Sequence, residues 1–357
     1  MDLSHYRDKI DSLDAEIVRL LNERTRAASE IGRLKEVDNA SVYVPSREKD
    51  VLDRVARLNQ GPLTEKNVRA IYREIMSASI SLEADVTVAF LGPNSTFSHQ
   101  AAVSRFGASV KYLPCDTIAD VFRSVEAGDS QYGVVPIENS IQGAVTYTQD
   151  ELGATELKIC AEIYHRINHS LMAKPGTSTI KKIYSHPQAL GQCRKWLEAY
   201  HPDAELHAVS STAAAAQAAT TEDGSAAIAS SLAAEINGLE ILDEKIQDIS
   251  TNTTRFLVLN KSYGPATGHD KTSIHFGVKH EVGALVKILQ IFEESSMNLS
   301  KIESRPDKSK QWEYFFFVDF EGHASDEVAQ KALAQVSKHC MVMEVLGSFP
   351  KGARVEG

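Results

Sequence analysis

Thr251-Asn252-Thr253-Thr254-Arg255-Phe256-Leu257-Val258-Leu259 joins two kinds of chain. Residues 251–255 offer hydroxyls, an amide and a guanidinium, and residues 256–259 form a short apolar run that reads as a buried strand. Taken alone, the polar half is a turn before a core strand, with Asn252 and Thr253 satisfying local backbone groups. The end of a strand on a rigid sheet is also where such groups can be aimed at a ligand, and the flanking sequence favours that reading. Further short apolar runs occur at 86–91, 132–135, 183–184 and 226–229, separated by helical stretches at 118–127, 188–200 and 213–219. Strand alternating with helix predicts an α/β fold with a mixed sheet, and two such sheets would flank a cleft.

Small polar residues gather where these strands give way to helices. The clusters are Gly92-Pro93-Asn94-Ser95-Thr96-Phe97-Ser98, Glu138-Asn139-Ser140 through Gly143, Ser185-His186-Pro187-Gln188, and Ser210-Ser211-Thr212. One cluster is an ordinary helix cap. Four of them, with 251–255, point to helix N-termini converging on a carboxylated ligand, because backbone N–H groups and the helix dipole favour anions. A Walker glycine-lysine pattern, a GxGxxG and a GxSxG elbow are all missing from the sequence, which argues against phosphate, dinucleotide and serine-hydrolase readings.

A chain of 357 residues predicts two or three domains. A net charge of -10 argues against a nucleic-acid or membrane-surface role, so an anionic ligand must be held by a local site. No basic-then-apolar leader and no run of about 18 apolar residues is present, which makes the cytoplasm the expected compartment. The four cysteines are scattered without disulfide-like spacing. His165 and His169 stand four apart, but 159–172 reads as extended chain without a third ligand, so both are taken as structural and no metal or cofactor is expected.

The first 84 residues read as an all-helical module. Ile10, Leu13, Ile17, Leu20, Leu21, Ile31 and Leu34 recur at helical spacing over roughly 30 residues. Two shorter helices follow, at about 46–59 after Pro45 and about 64–83 with Thr64 as N-cap. Arg24, Ala28, Ile31 and Lys35 share one face, and Ser79 and Glu83 continue the stripe of Val68, Ile71, Tyr72 and Ile75. Cations and a carboxylate on otherwise apolar faces are more than a dimerisation stripe needs. Arg7, 17 residues before Arg24, lies about 25 Å away along a straight helix and can reach the same small ligand only from a partner chain.

Beyond a Gly- and Pro-broken linker at 261–270, strands at 273–278, 299–304, 313–320 and 342–349 and helices at 283–295 and 326–339 give the order βαββαβ, which is ferredoxin-like.

Three resemblances give these patterns a chemistry. The first segment resembles the all-helical chorismate mutases over its whole length, through Arg7, Arg24, Lys35, Arg47-Glu48, Ser79 and Glu83. That implies an intertwined dimer in which Arg7 reaches across. Arg7, Arg24 and Arg47 would hold carboxylates or support the pocket, Glu48 and the N–H of Val44 would take the ring hydroxyl, and Lys35 and Glu83 would address the ether oxygen of chorismate. Val44 stands where some members carry aspartate, and Glu83 where some carry glutamine. An ionised carboxylate only accepts hydrogen bonds, so Glu83 would have to be protonated to donate. The middle segment is similar to prephenate dehydratase through Val135-Pro136-Ile137-Glu138-Asn139-Ser140, Tyr184-Ser185-His186-Pro187-Gln188-Ala189-Leu190 with Gln192-Cys193, and Thr254-Arg255-Phe256. This implies a two-lobed fold like that of bacterial ligand-binding proteins, with prephenate between the lobes. Thr254 would be catalytic, Asn139, Ser140, Ser185 and Gln192 would line the site, and Ser211, Thr212 and Arg255 would bind carboxylates. The last segment is similar to the ACT regulatory domain through Gly283-Ala284-Leu285-Val286 and Glu303-Ser304-Arg305-Pro306. That implies phenylalanine bound at a subunit interface near Gly283, Ala284, Leu285, Asn298, Glu303 and Ser304.

Together these predict domains at 1–84, 85–262 and 272–350, in a homo-oligomer of at least two chains that converts chorismate through prephenate to phenylpyruvate. The competing reading is a non-enzymatic small-molecule sensor whose helices only dimerise it. A third is that the mutase part is vestigial.

Overall fold

The computed structural model describes residues 2–37, 45–83, 85–279, 281–306 and 314–352, the side chains of 35–37 excepted. It divides into two compact units: residues up to Thr87 with Arg105–Lys111, and Val88–Ser104 with Tyr112 onward.

The first unit is helical. It contains α1 (Leu3–Val37), α2 (Pro45–Leu58) and α3 (Glu65–Glu83). At 1.5 Å per residue the 35-residue α1 is about 52 Å long. Pro45 opens α2, where its missing N–H costs nothing. Thr64 caps α3 by accepting from the Asn67 N–H at 3.2 Å. Helices α2 and α3 close over a small core of Val51, Leu52 and Met76. Gly32, the one glycine of α1, marks a close approach to α3, since a Cβ there would fall 2.9 Å from Glu83 Cγ. Much of the α1 stripe is uncovered, with Ile10, Leu13, Ile17 and Leu20 all about half exposed.

The chain continues, mostly in the second unit, with β1 (Thr87–Leu91), α4 (Phe97–Phe106, whose last two residues belong to the first unit), β2 (Lys111–Cys115), α5 (Ile118–Ala127), β3 (Tyr132–Asn139), β4 (Gly143–Ala144), α6 (Thr146–Leu152) and β5 (Lys158–Arg166). Next come β6 (Ser170–Ala173), β7 (Lys182–Ser185), α7 (Pro187–Gln192), α8 (Arg194–Tyr200), β8 (Glu205–Ala208), α9 (Thr212–Thr221), β9 (Ser225–Ala229), α10 (Ser231–Asn237) and β10 (Glu240–Asp243). Strand β11 (Thr253–Asn260) then returns to the first sheet. Two mixed sheets result, in the orders β2-β1-β3-β11-β5, with β4 on β3, and β10-β6-β9-β7-β8. The chain crosses between these lobes after β5 and again before β11, so the polar stretch 251–255 sits at the second crossing.

Where helix was expected unbroken over 188–200, the chain breaks at Cys193. Its N–H is shared between the carbonyls of Ala189 and Leu190, and its backbone leaves the helical region, while its side chain is fully buried.

The remaining elements are β12 (Asp270–Gly277), α11 (Ala284–Glu294), β13 (Leu299–Pro306), β14 (Tyr314–Glu321), α12 (Glu327–His339) and β15 (Val342–Pro350), an antiparallel sheet in the order β13-β14-β12-β15. Strand β12 begins three residues earlier than the sequence suggested, because the Asp270 carboxylate accepts from the N–H groups of Thr267 and Gly268 and fixes the turn into it. One face of this sheet carries α11 and α12 over Phe276, Phe292 and Phe320. From the other, Phe317, Leu346 and Phe349 share a core with Ile159, Leu257 and Leu259 of the first lobe. A Cβ at Gly347 would overlap the Ile159 backbone, so only glycine permits β15 to lie this close to β5.

Candidate active sites

In the helical unit a cavity of about 290 Å³ is lined by Arg24, Ala28 and Ile31 of α1, Arg47 and Glu48 of α2, and Ser79 and Glu83 of α3. The shared face read from sequence is therefore a cavity wall. Arg24 Nη1 donates to Ser79 Oγ at 2.8 Å, and Ser79 Oγ donates to the Ile75 carbonyl at 2.9 Å, so this serine fixes the arginine from below. Glu48 is 8% exposed and pairs with Arg105 at 3.0 Å. Arg54, Arg73 and Arg105 also line the cavity and had not been singled out. The first two follow helical spacing from residues that were: Arg47, Val51 and Arg54 share one face of α2, as Arg73, Met76 and Glu83 do on α3. Nothing local in the sequence marks Arg105. Arg7 is exposed on α1 and is not among the lining residues. Val44 and the side chain of Lys35 lie outside the described residues.

Between the two lobes lies a second cavity, of about 350 Å³. Asn139, Gln192, Ser211, Thr212 and Thr254 all line it, and four polar clusters contribute, since Thr96, Ser98, Gln142, His186 and Gln188 are there too. A bulge helps. Phe256 pairs with Pro136 while Arg255 pairs with Glu138, leaving Ile137 unopposed and turning Pro136 and Asn139 to the same face.

Hydrogen bonds fix the catalytic candidates. Asn139 Oδ1 accepts from the N–H groups of Ile141 and Gln142 at 3.0 and 3.1 Å, which sets the amide's orientation. Its Nδ2 then donates to Asn252 Oδ1 and to Thr254 Oγ1, each at 2.8 Å. Because Thr254 Oγ1 is an acceptor in that bond, its own hydrogen remains to be donated elsewhere. Gln192 Oε1 faces His169 Nε2 at 2.8 Å and Asn252 Nδ2 at 3.3 Å, which leaves its Nε2 as the donor end. Burial lowers the pKa of His169, so near neutrality it is the uncharged ring that donates through Nε2. His169 thus belongs to the cavity wall, a role its sequence context did not indicate.

Similarity to known proteins follows the same three parts. Residues 6–84 match the family model for chorismate mutase type II, 88–263 that for prephenate dehydratase, and 272–338 that for the ACT domain. A bifunctional chorismate mutase/prephenate dehydratase of Aquifex aeolicus is 46% identical over 355 residues, 98% of each chain. One of Neisseria gonorrhoeae is 45% identical over 349 residues, 97% of this chain and 96% of that one. The chain belongs to the bifunctional chorismate mutase/prephenate dehydratase family. The solved prephenate dehydratase of Arthrobacter aurescens in complex with L-Phe superposes with a TM-score of 0.69 at 36% identity, over 74% of this chain and 90% of that one. Chorismate mutase and prephenate dehydratase are therefore the two activities of this chain.

Three expected dehydratase ligands stand elsewhere. Ser185 is fully buried and its Oγ donates to the Ile228 carbonyl at 2.6 Å, tying β7 to β9. Ser140 lies outside the cleft, its Oγ accepting from the Thr253 N–H at 3.0 Å. Arg255 follows Thr254 on a strand and so points to the opposite face. It is 6% exposed, with Nε on Glu162 at 2.8 Å and Nη1 on Asp319 at 2.5 Å. Lys271 also pairs with Glu162 at 2.9 Å, so the buried group holds two cations and two carboxylates.

In the ACT part, Gly283 adopts a left-handed backbone (φ 81°) at the start of α11. Glu303 and Ser304 lie on β13, an edge strand of its sheet. The Asn298 carbonyl accepts from the Glu321 N–H at 2.9 Å, in the turn between α11 and β13. Among the described residues no group of His, Cys, Asp and Glu is arranged to hold a metal ion, and no helix is long and apolar enough to cross a membrane.

Proposed function

We propose that Thr254 is the proton donor of the dehydratase and Asn139 the group that aims it. As the carboxylate of prephenate leaves as carbon dioxide, its bonding electrons move into the ring and expel the hydroxyl. Protonation by Thr254 lets that hydroxyl depart as water, and a proton taken up from solvent restores the threonine hydroxyl. The observation that carries this role is the 2.8 Å bond from Asn139 Nδ2 to Thr254 Oγ1, which both orients the hydroxyl and stabilises the oxygen as its proton moves away. The carboxylates of prephenate would meet the N-terminal ends of α4 and α9, with Thr96, Ser211 and Thr212, and the amide of Gln192.

In the mutase, no covalent group is needed, only a clamped conformer and a donor for the ether oxygen. Arg24 and Arg47 hold carboxylates, Glu48 the ring hydroxyl, and Lys35 and a protonated Glu83 the ether oxygen. The pocket is completed by Arg7 of a second copy. Support comes from α1, where Leu3, Tyr6, Ile10, Leu13, Ile17 and Leu20 step by three and four residues and are all exposed, as the seam of a paired helix would be. Phenylalanine binds near Gly283 and Asn298 with a second copy closing the site beside edge strand β13. The enzyme works in the cytoplasm, a setting that suits cysteines scattered without disulfide-like spacing. Full-length protein given chorismate should release phenylpyruvate, and phenylalanine should slow the second step. Accumulation of prephenate without phenylpyruvate would refute the assignment of Thr254's domain.

A further inference from the structure

The catalytic pair has a mirror pair behind it. Strands β3 and β11 are in register so that Thr254 faces Asn139 and Arg255 faces Glu138. Thr254 and Asn139 line the cleft, while Arg255 and Glu138, one step along each strand, do not. Both meet the ACT domain instead. There β13 and β14 set Lys301 directly across from Asp319. Lys301 Nζ donates to Glu138 Oε2 at 2.8 Å, and Arg255 Nη1 to Asp319 Oδ2 at 2.5 Å. Each domain thus offers one cation and one anion on a paired set of strands, and each charge meets its opposite across the boundary.

This clasp differs from an ordinary surface ion pair. Arg255, Asp319 and Lys301 are 6%, 8% and 12% exposed, so solvent screens them little. Asp319 is held from its own side by Ser273 Oγ at 2.5 Å, and Arg255 by Glu162 at 2.8 Å. The grip falls on the two residues adjoining the catalytic pair, on the same two strands. A hydrogen bond of 2.8 Å such as that from Asn139 to Thr254 is largely lost if its ends part by more than about 0.7 Å. Small displacements of β3 against β11 therefore matter to it.

We propose that Glu138 and Arg255 are positioning residues for the dehydratase, through which Lys301 and Asp319 of the ACT domain set the Asn139–Thr254 geometry. The inference rests on the reading of Thr254 and Asn139 as the active pair. It concerns how that pair is held, and it gives the ACT domain a route to the chemistry that does not pass through the cleft.

The test uses full-length protein and the outer arm of the clasp, where Glu138 is 42% exposed and a reversed pair can be accommodated. Glu138→Gln and Lys301→Met are made singly, and Glu138→Lys with Lys301→Glu as a charge swap. Each single variant should lower dehydratase kcat about fivefold to tenfold, with KM for prephenate within about twofold and mutase turnover unchanged. The swap should recover kcat to within about twofold of the parent. A clasp that only fastens the domains would lower Tm and leave kcat at 25 °C alone, and that result overturns the proposal. So does a swap as slow as the two single variants combined. Thr254→Val is measured alongside. If it is inactive while the single variants are normal, the clasp alone fails; if it is active, the active-pair reading and the clasp fall together.

Discussion

Replacing Thr254 by valine keeps the shape of the side chain and removes its one transferable hydrogen. With Thr254 in its proposed role, two losses are expected. The leaving hydroxyl of prephenate loses its donor, and general acid assistance of this kind is worth about 100- to 10,000-fold, or roughly 3 to 5 kcal/mol of barrier. The fold loses something as well, because Asn139 Nδ2 would face a methyl group in place of Oγ1 while its other hydrogen stays on Asn252. A buried donor left without a partner costs about 1 to 3 kcal/mol. Thr254→Val should therefore drop dehydratase kcat at least 100-fold and lower Tm by several degrees, with the protein still folded at 25 °C. Thr254→Ser keeps the donor and should stay within about tenfold of the parent. The assay is phenylpyruvate release from prephenate in the full-length chain. Mutase turnover in the same samples controls for active protein concentration, since its cavity lies in the other compact unit. A Thr254→Val protein retaining more than a tenth of the parent rate would show that another group, or water alone, removes the hydroxyl.

Burial pushes His165 down to about 4 from its ordinary 6.5, and its Nε2 sits 3.1 Å from Gln100 Oε1. A histidine kept neutral in the fold stabilises it above the unfolded pKa. Roughly 3 kcal/mol should be lost as pH falls from about 6.5 to 4, and His165→Gln should flatten the denaturation midpoint against pH over that window; an unchanged slope would exclude His165 as the cause. Ile17 is 52% exposed on α1, and Ile17→Glu should remove about 1.5 to 3 kcal/mol of burial from each copy, weakening a dimer more than 100-fold. Sedimentation should then show smaller species and mutase turnover should fall, and an unaltered mass with normal turnover would argue against Arg7 acting across chains. Gly283→Val forces a β-branched residue to φ 81° and should raise the half-inhibitory concentration of phenylalanine by about tenfold, read from dehydratase rates with and without effector. Inhibition as sensitive as the parent's would place the effector elsewhere.

The fold was legible where a periodic pattern and its neighbours agree. The strand at 256–259 extends to Thr253–Asn260, and the helical stripe of α1 runs over 35 residues. The polar clusters at strand ends do converge on one cleft, since a sheet brings the ends of distant strands together. What sequence reading missed came from elsewhere in the chain. Arg105 joins Glu48 from 57 residues away, and no local spacing foretells a contact of that kind. The bulge at Ile137 was also invisible, because one residue left unopposed by β11 leaves no compositional mark.

Arg255 is the instructive error, because the rule that corrects it needs no coordinates. Adjacent residues of a strand face opposite ways, so once Thr254 is committed to the cleft, Arg255 is not available to bind a carboxylate there. The same parity separates Asn139 from Glu138 on β3 and applies to both strands at once, since they are in register at this point. Adjacent residues on both strands thus divide between two surroundings: one residue of each pair lines the cleft, and the next meets a neighbouring domain. In an enzyme with a regulatory domain packed on the back of its catalytic sheet, a charged residue beside a catalytic one on a strand is better read as an attachment point than as a second ligand. Glu162, buried under both Arg255 and Lys271, strengthens the argument: a cation meant for substrate would not be neutralised from behind by two carboxylates while facing away from the cleft.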